Sequence, residues 1–186
     1  MVDVGENSLN GYERNVLHRN NGDGTFSDVA HVNRADRIED GRGVAILDYD
    51  RDGRLDVLIR NYRQPAELLR GTGPRRHWLQ VKLTGTASNR DAVGARIVAV
   101  TGDRRQLRVV GAGSSYLSSG SLVQHFGLGD ATAVDRLEIT WPSGRVDVVR
   151  DVAADRRVAV TEGRGIVTAN GKEVRDANAP HHAARR

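Results

Sequence analysis

The constraint that most limits this chain is its rhythm. Short runs of Val, Ile, Leu and Thr, four to eight residues long, are cut off by glycine-rich turns, and no stretch sustains a 3.6-residue apolar period. Alternation is plain in Trp78-Leu79-Gln80-Val81-Lys82-Leu83, which would set Leu79, Val81 and Leu83 on one face of a strand. It returns in Leu137-Glu138-Ile139-Thr140-Trp141, and Pro142-Ser143-Gly144 then reads as a hairpin turn. A first series of strands is expected within 15–19, 25–30, 44–48, 55–61 and 67–70. A second is expected within 78–84, 95–101, 106–111, 122–126, 135–141, 145–150 and 157–161. The fold class these patterns predict is all-β.

The 186 residues suffice for one domain or two small ones. Glycines and a proline at Gly71-Thr72-Gly73-Pro74 interrupt the strand pattern and suggest a boundary. The expected organisation is therefore a first segment over 1–75, a second over 76–163, and a hairpin with a frayed tail over 164–186. Leu17-His18-Arg19-Asn20 is echoed by Leu68-Leu69-Arg70-Gly71, 51 residues on, a spacing that suits one propeller blade. One blade and a fraction cannot close a propeller, so 1–75 reads as part of a longer array and the chain as a C-terminal piece of one.

Charge and composition exclude several functions. Residues 1–75 carry 11 Lys and Arg against 13 Asp and Glu, whereas 76–186 carry 17 against 11. The arginines of the basic half are dispersed, and eight aromatics in the whole chain offer few stacking platforms, which argues against nucleic acid as a partner. The absence of cysteine excludes disulfides, thiolate metal sites and cysteine nucleophiles. No apolar run is long enough to span a membrane, and Met1–Glu6 has neither the basic start nor the apolar core of a signal peptide.

The most specific chemical motif is Asp48-Tyr49-Asp50-Arg51-Asp52-Gly53-Arg54-Leu55-Asp56. Aspartates at positions 1, 3, 5 and 9 of a tight loop form an oxygen cage for a hard divalent cation, with the main-chain carbonyl of Arg54 as the position-7 ligand. Gly53 permits the positive φ that reverses the chain. The expected ligand set is Asp48, Asp50, Asp52, Arg54 and Asp56, and the expected ion is Ca²⁺. Position 12 is Ile59 where an EF-hand needs a bidentate Glu, and the flanks are strand-like, so the loop is not an EF-hand. The alternative is a solvated acidic hairpin neutralised by Arg51 and Arg54. Asn20–Phe26 is a related turn, read as a structural hairpin because Asp23 is its single acid.

Other motifs are weaker. Gly111–Tyr116 begins like a phosphate loop but lacks its third glycine and its Gly-Lys-Ser/Thr ending. Arg90, Asp91, Ser114, Ser115 and Tyr116 form a candidate ligand surface, the tyrosine offering a ring and the serines hydroxyls. A triad of Ser114, His125 and Asp91 requires the fold to assemble it. No catalytic residue is assigned.

Two resemblances follow from these residues. Arg19–Phe26 followed by Asp48–Asp56 resembles the FG-GAP (VCBS) repeat of β-propellers. From His77 onward the chain resembles the ASPIC/UnbV domain, through His77-Trp78-Leu79, Ser88–Arg96, Gly113–Ser118, His125–Gly129 and Trp141–Gly144. Together they cover roughly residues 10–162, in the combination of the cartilage acidic protein family. The resemblance implies one propeller-blade-like unit followed by a β-sandwich-like or barrel-like domain, Ca²⁺ in the propeller loop, and an extracellular or cell-envelope location. It implies a non-enzymatic interaction module with protein or carbohydrate partners and further propeller blades. The alternatives are an accessory tailoring enzyme of secondary metabolism, on the UnbV side of the family, and a truncated remnant without independent function.

Overall fold

The computed structural model describes residues 3–4, 7–8, 13–113, 118–169 and 172–173. Among them every regular element is a β-strand. In chain order these are β1 (Asp3–Val4), β2 (Asn7–Ser8), β3 (His18–Asn20), β4 (Phe26–Asp28), β5 (Gly41–Leu47), β6 (Asp56–Asn61), β7 (Glu67–Leu69) and β8 (His77–Thr84). There follow β9 (Arg96–Thr101), β10 (Arg104–Val109), β11 (Gln124–Gly129), β12 (Ala133–Thr140), β13 (Val146–Ala153), β14 (Arg156–Thr161), β15 (Gly165–Ala169) and β16 (Lys172–Glu173). The chain divides into two compact units. The first gathers Met1–Tyr49, Leu55–Thr72 and Gly113–Gly120; the second gathers Asp50–Arg54, Gly73–Ala112 and Ser121–Arg186.

The first unit is built from small antiparallel sheets: the pair β1–β2, the hairpin β3–β4, and the meander β5–β6–β7. In the meander Val44 pairs with Ile59 and Ile46 with Val57, so these four share one face, while Ala45 and Leu58, with Leu68 beside them, share the other. Val44 and Ile46 are exposed on the first face, and Leu58 and Leu68 on the second. A sheet that is apolar on both sides is patterned for cover on both sides. Ile59, Asp56 and Asn61 are the buried residues of β6.

The second unit is a sandwich of two open sheets, ordered β10–β9–β12–β13 and β11–β8–β14–β15–β16. Neither sheet closes on itself, so of the two forms expected from the sequence the sandwich is the one observed and the barrel is not. Alternation explains the core. Leu79, Val81 and Leu83 of β8 lie inside with Val158 and Val160 of β14 and Phe126 of β11, facing Ile97, Ala99, Leu137 and Ile139 of the other sheet. Phe126, Leu79, Leu137 and Ile139 are all completely buried. β14 pairs parallel to β8, with Val158 opposite Val81 and Val160 opposite Leu83. That pairing needs a long crossover, and the intervening strands supply it by way of the second sheet. At one border Gln106 Nε2 and Arg108 Nε of β10 donate to the Gly127 and His125 carbonyls of β11, at 2.9 and 3.1 Å.

A buried acid fastens three turns of this unit. Glu162, 3% exposed, accepts at Oε2 from the amides of Thr86, Ala87 and Ser88 at 2.8, 2.9 and 2.8 Å. Its Oε1 accepts from the hydroxyls of Ser88 and Ser143 at 3.0 and 2.5 Å. Burial pushes the carboxyl upward, but the Ser143 hydroxyl, the Ser88 and Thr86 amides and the Ser88 hydroxyl together outweigh it and hold the group at about 2, against an ordinary 4.5. The Pro142–Gly144 turn that the sequence predicts is present, with the Gly144 amide donating to the Trp141 carbonyl at 2.9 Å. Trp141 Nε1 and the Gly163 amide both donate to Asp147 Oδ2, at 2.9 and 2.8 Å.

Two outcomes are expected. Leu137→Ala should lower unfolding free energy by about 2–5 kcal/mol in a urea titration, because it opens a cavity between the sheets. Because the folded Glu162 carboxyl titrates below its unfolded value, its contribution is complete above about pH 4.5 and lost as pH falls toward 2. Glu162→Gln should therefore lower the melting temperature at pH 7 and flatten its decline between pH 5 and pH 2.

Candidate metal centre

The candidate centre lies in the hairpin that joins β5 to β6. Its conformation follows from two residues in the left-handed region, Arg51 at φ 60° and Gly53 at φ 88°, which fold the five residues 50–54 into a tight tip. Gly53 is required twice over: beside its positive φ, a Cβ there would fall inside the Trp78 indole. Trp78 in turn stacks on His125, with ring centroids 6.1 Å apart and planes 10° from parallel.

Asp48, Asp50 and Asp56 each bring a carboxylate oxygen within 4.8 Å of the others. Asp56 is the anchor. It is 2% exposed, and its Oδ2 and Oδ1 accept from the Tyr49 and Gly71 amides, both at 2.8 Å. Asp48 is half-buried and Asp50 exposed, so the group opens outward on the Asp50 side. Two like charges about 4 Å apart repel by about 4 kcal/mol at an effective dielectric near 20, and a divalent cation among them reverses the sign of that term. A hard cation takes roughly six to eight oxygens at 2.3–2.6 Å, so three carboxylates from one loop suit it when carbonyl and water oxygens complete the shell.

Asp52 is placed differently from its three companions. Its Oδ1 accepts from the Arg54 amide at 2.9 Å, its Oδ2 accepts from Arg54 Nε at 2.9 Å, and a second Arg54 nitrogen pairs with the same oxygen. Arg54 also donates to the Gly73 carbonyl at 3.1 Å. The side chain of Arg54 thus neutralises one of the four predicted acids, and Asp52 is not among the converging three.

The remaining sequence candidates are described only in part. Arg90 and Asp91 are exposed in a turn closed by Asn89, whose side chain exchanges two 2.8 Å hydrogen bonds with the backbone of Val93. Ser114, Ser115 and Tyr116 lie outside the described residues. Of the conceivable triad, Asp91 is exposed in that turn and His125 stacks on Trp78. In the related turn, Asp23 Oδ1 accepts from the Thr25 amide and hydroxyl at 2.9 and 2.6 Å, and these bonds, hydroxyl first, lower its pKa against burial. The turn is a structural hairpin between β3 and β4.

Sequence reading missed one feature. Asp52, Arg75, Arg76, His77, Trp78, Gly129, Asp130 and Asp155 line an open cleft of about 380 Å³. Within it His77 Nδ1 lies 2.7 Å from Asp155 Oδ2, and Arg76 pairs with Asp130. The partners are 54 and 78 residues apart, so only the adjacency of Arg75, Arg76 and His77 could have signalled it.

Comparison with known proteins adds a second line of observation. Residues 6–59 match the FG-GAP-like repeat family, and residues 85–167 match the family described as ASPIC and UnbV. Cartilage acidic protein 1 of Mus musculus is 35% identical over 155 residues, covering 79% of this chain and 23% of the relative. The Homo sapiens protein is 35% identical over 155 residues, covering 79% and 22%. The Xenopus tropicalis protein is 37% identical over 126 residues, covering 63% and 19%. The chain therefore spans less than a quarter of the length of the curated relatives it matches.

Gly53→Ala should lower the melting temperature, since the new methyl group must both occupy a strained φ and displace the Trp78 ring. The check is a thermal melt followed by tryptophan fluorescence, in which a shifted emission of the folded state reports the displaced ring.

Proposed function

Because this chain belongs to the family that joins FG-GAP-like repeats to an ASPIC and UnbV domain, we propose that it is a calcium-binding, non-enzymatic interaction module of an extracellular protein. The observation that carries the metal reading is the convergence of Asp48, Asp50 and Asp56 within 4.8 Å. These three carboxylates would hold the ion, with the Arg54 carbonyl and water completing its shell. Asp52 serves the centre by fixing Arg54 and the tip of the hairpin.

A calcium ion held by Asp48, Asp50 and Asp56 would supply charge neutralisation rather than chemistry on a substrate, and would tie the end of β5 to the start of β6. Asp56 holds the base of the hairpin through the Tyr49 and Gly71 amides, so its orientation is set before the ion arrives. The extracellular reading rests on the relatives, whose name places them with cartilage. The partner reading is protein or carbohydrate, met by a surface whose rigidity the ion supports, with further propeller blades as neighbours of the first unit. The apolar character of both faces of β5–β6–β7 supports that last element.

Ca²⁺ at about 10 mM should raise the melting temperature of the metal-stripped protein, by the equivalent of about 1.4–2.7 kcal/mol at roughly ten to one hundred times Kd. The affinity expected is ~10⁻⁴–10⁻³ M, that of extracellular modules. Asp50→Ala should remove the shift while leaving the apo melt nearly unchanged, since Asp50 is exposed. A parent protein indifferent to Ca²⁺ would refute the metal reading.

A further inference from the structure

The second unit keeps its large apolar side chains inside, with one exception. Leu107, Val109, Val146 and Val148 are between 45% and 60% exposed, and among the described residues they are the only large apolar side chains of this unit left so open. They are not scattered. Cross-strand partners point to the same side of a sheet, so the register locates them. Leu107 pairs with Val98, Val98 with Glu138, and Glu138 with Val148, which makes one row across β10, β9, β12 and β13. Val109, Arg96, Thr140 and Val146 make the next row on the same face. All four exposed apolar residues thus lie on the outer face of the four-stranded sheet, opposite the side that packs Ile97, Leu137 and Ile139 into the core. Scattered exposed apolar side chains need no explanation, but a contiguous patch on one sheet face does.

The charges on that face say what fits it. A third row runs Arg105, Val100, Arg136, Arg150. With Arg96 the face carries four guanidinium groups against one carboxylate, Glu138. That acid accepts from Arg105 at 2.8 Å and Arg136 at 2.7 Å, which holds its pKa below the ordinary range. Its single charge is shared between two arginines, and among the described residues no acid pairs with Arg96 or Arg150. The face is an apolar strip bordered by net positive charge. A second copy laid on it would oppose positive to positive. A sulfated glycan would match the arginines but has no apolar side chains to cover Leu107 and Val148. No aromatic ring is present on the three rows for a nucleobase to stack on.

We infer that the outer face of the β10–β9–β12–β13 sheet docks a short acidic protein segment, whose apolar side chains cover Leu107, Val98 and Val148 while its carboxylates meet Arg96, Arg136 and Arg150. Apolar contact supplies the affinity, and the arginines supply steering and selection against basic partners. This narrows the partner of the proposed interaction module to a protein. It does not depend on cation binding by the hairpin, because none of the residues it uses belongs to that hairpin.

The test is fluorescence anisotropy of the whole chain with three labelled probes: a peptide alternating Glu and Leu, the same peptide with Lys for Glu, and a heparin oligosaccharide. Saturable binding of the acidic peptide is expected, weakened by added salt, with no binding of the basic one. Val148→Thr combined with Leu107→Ser, and separately Arg150→Glu, should each weaken it about tenfold or more. All three side chains are surface-exposed, and an unchanged melting temperature confirms that the variants fold. Heparin binding that ignores the two apolar substitutions would overturn the proposal in favour of a polyanion. Self-association in sedimentation, abolished by the same substitutions, would overturn it in favour of a second copy. Failure of the acidic peptide to bind would overturn it outright, and the calcium-dependent melt, measured in parallel, would be unaffected.

Discussion

Three carboxylates held within 4.8 Å of one another constrain the nine-residue hairpin between β5 and β6. Repulsion at that range is unfavourable by several kcal/mol unless something offsets it. The hairpin offsets part of it with its own groups. Backbone amides take both oxygens of Asp56, and Arg54 takes the fourth acid, Asp52, out of the set. What is left, with one face open toward solvent at Asp50, is a group of three carboxylates that a hard cation would complete under the proposed function.

The two units meet the need for burial in opposite ways. The second closes its core internally: two sheets present alternating apolar faces to each other, side chains of β10 reach across to β11, and Glu162 ties together turns that lie far apart in sequence. The first, among its described residues, buries little of its own. Val44 and Ile46 on one face of β5–β6–β7, and Leu58 and Leu68 on the other, remain exposed. A blade in a repeating array shows this pattern, since each unit there is covered by its neighbours. The match of residues 6–59 to the FG-GAP-like repeat accords with it.

Much of this was legible in the sequence, and what was not had a common cause. Local pattern revealed the strands and their inward faces, as with Leu79, Val81 and Leu83, because alternation is a property of adjacent residues. The Asp-x-Asp-x-Asp-Gly spacing located the hairpin for the same reason. Non-local relations were hidden. Nothing near Val158 announces that it pairs parallel to Val81, and a lone Glu162 in a turn gives no sign that it will collect three amides and two hydroxyls. The pairing of Asp52 with Arg54 was hidden because spacing counts acids without showing that Arg54, two residues on, folds back onto one of them. The apolar strip on the outer face of the second unit becomes visible only when strand register brings Leu107, Val98 and Val148 into one row.

Diffraction tests most directly whether the hairpin holds an ion. Crystals grown with calcium in excess should show density among Asp48, Asp50 and Asp56, with oxygens at about 2.3–2.6 Å and Asp52 still paired to Arg54. An empty hairpin under those conditions, with the three carboxylates turned apart into solvent, would contradict the account.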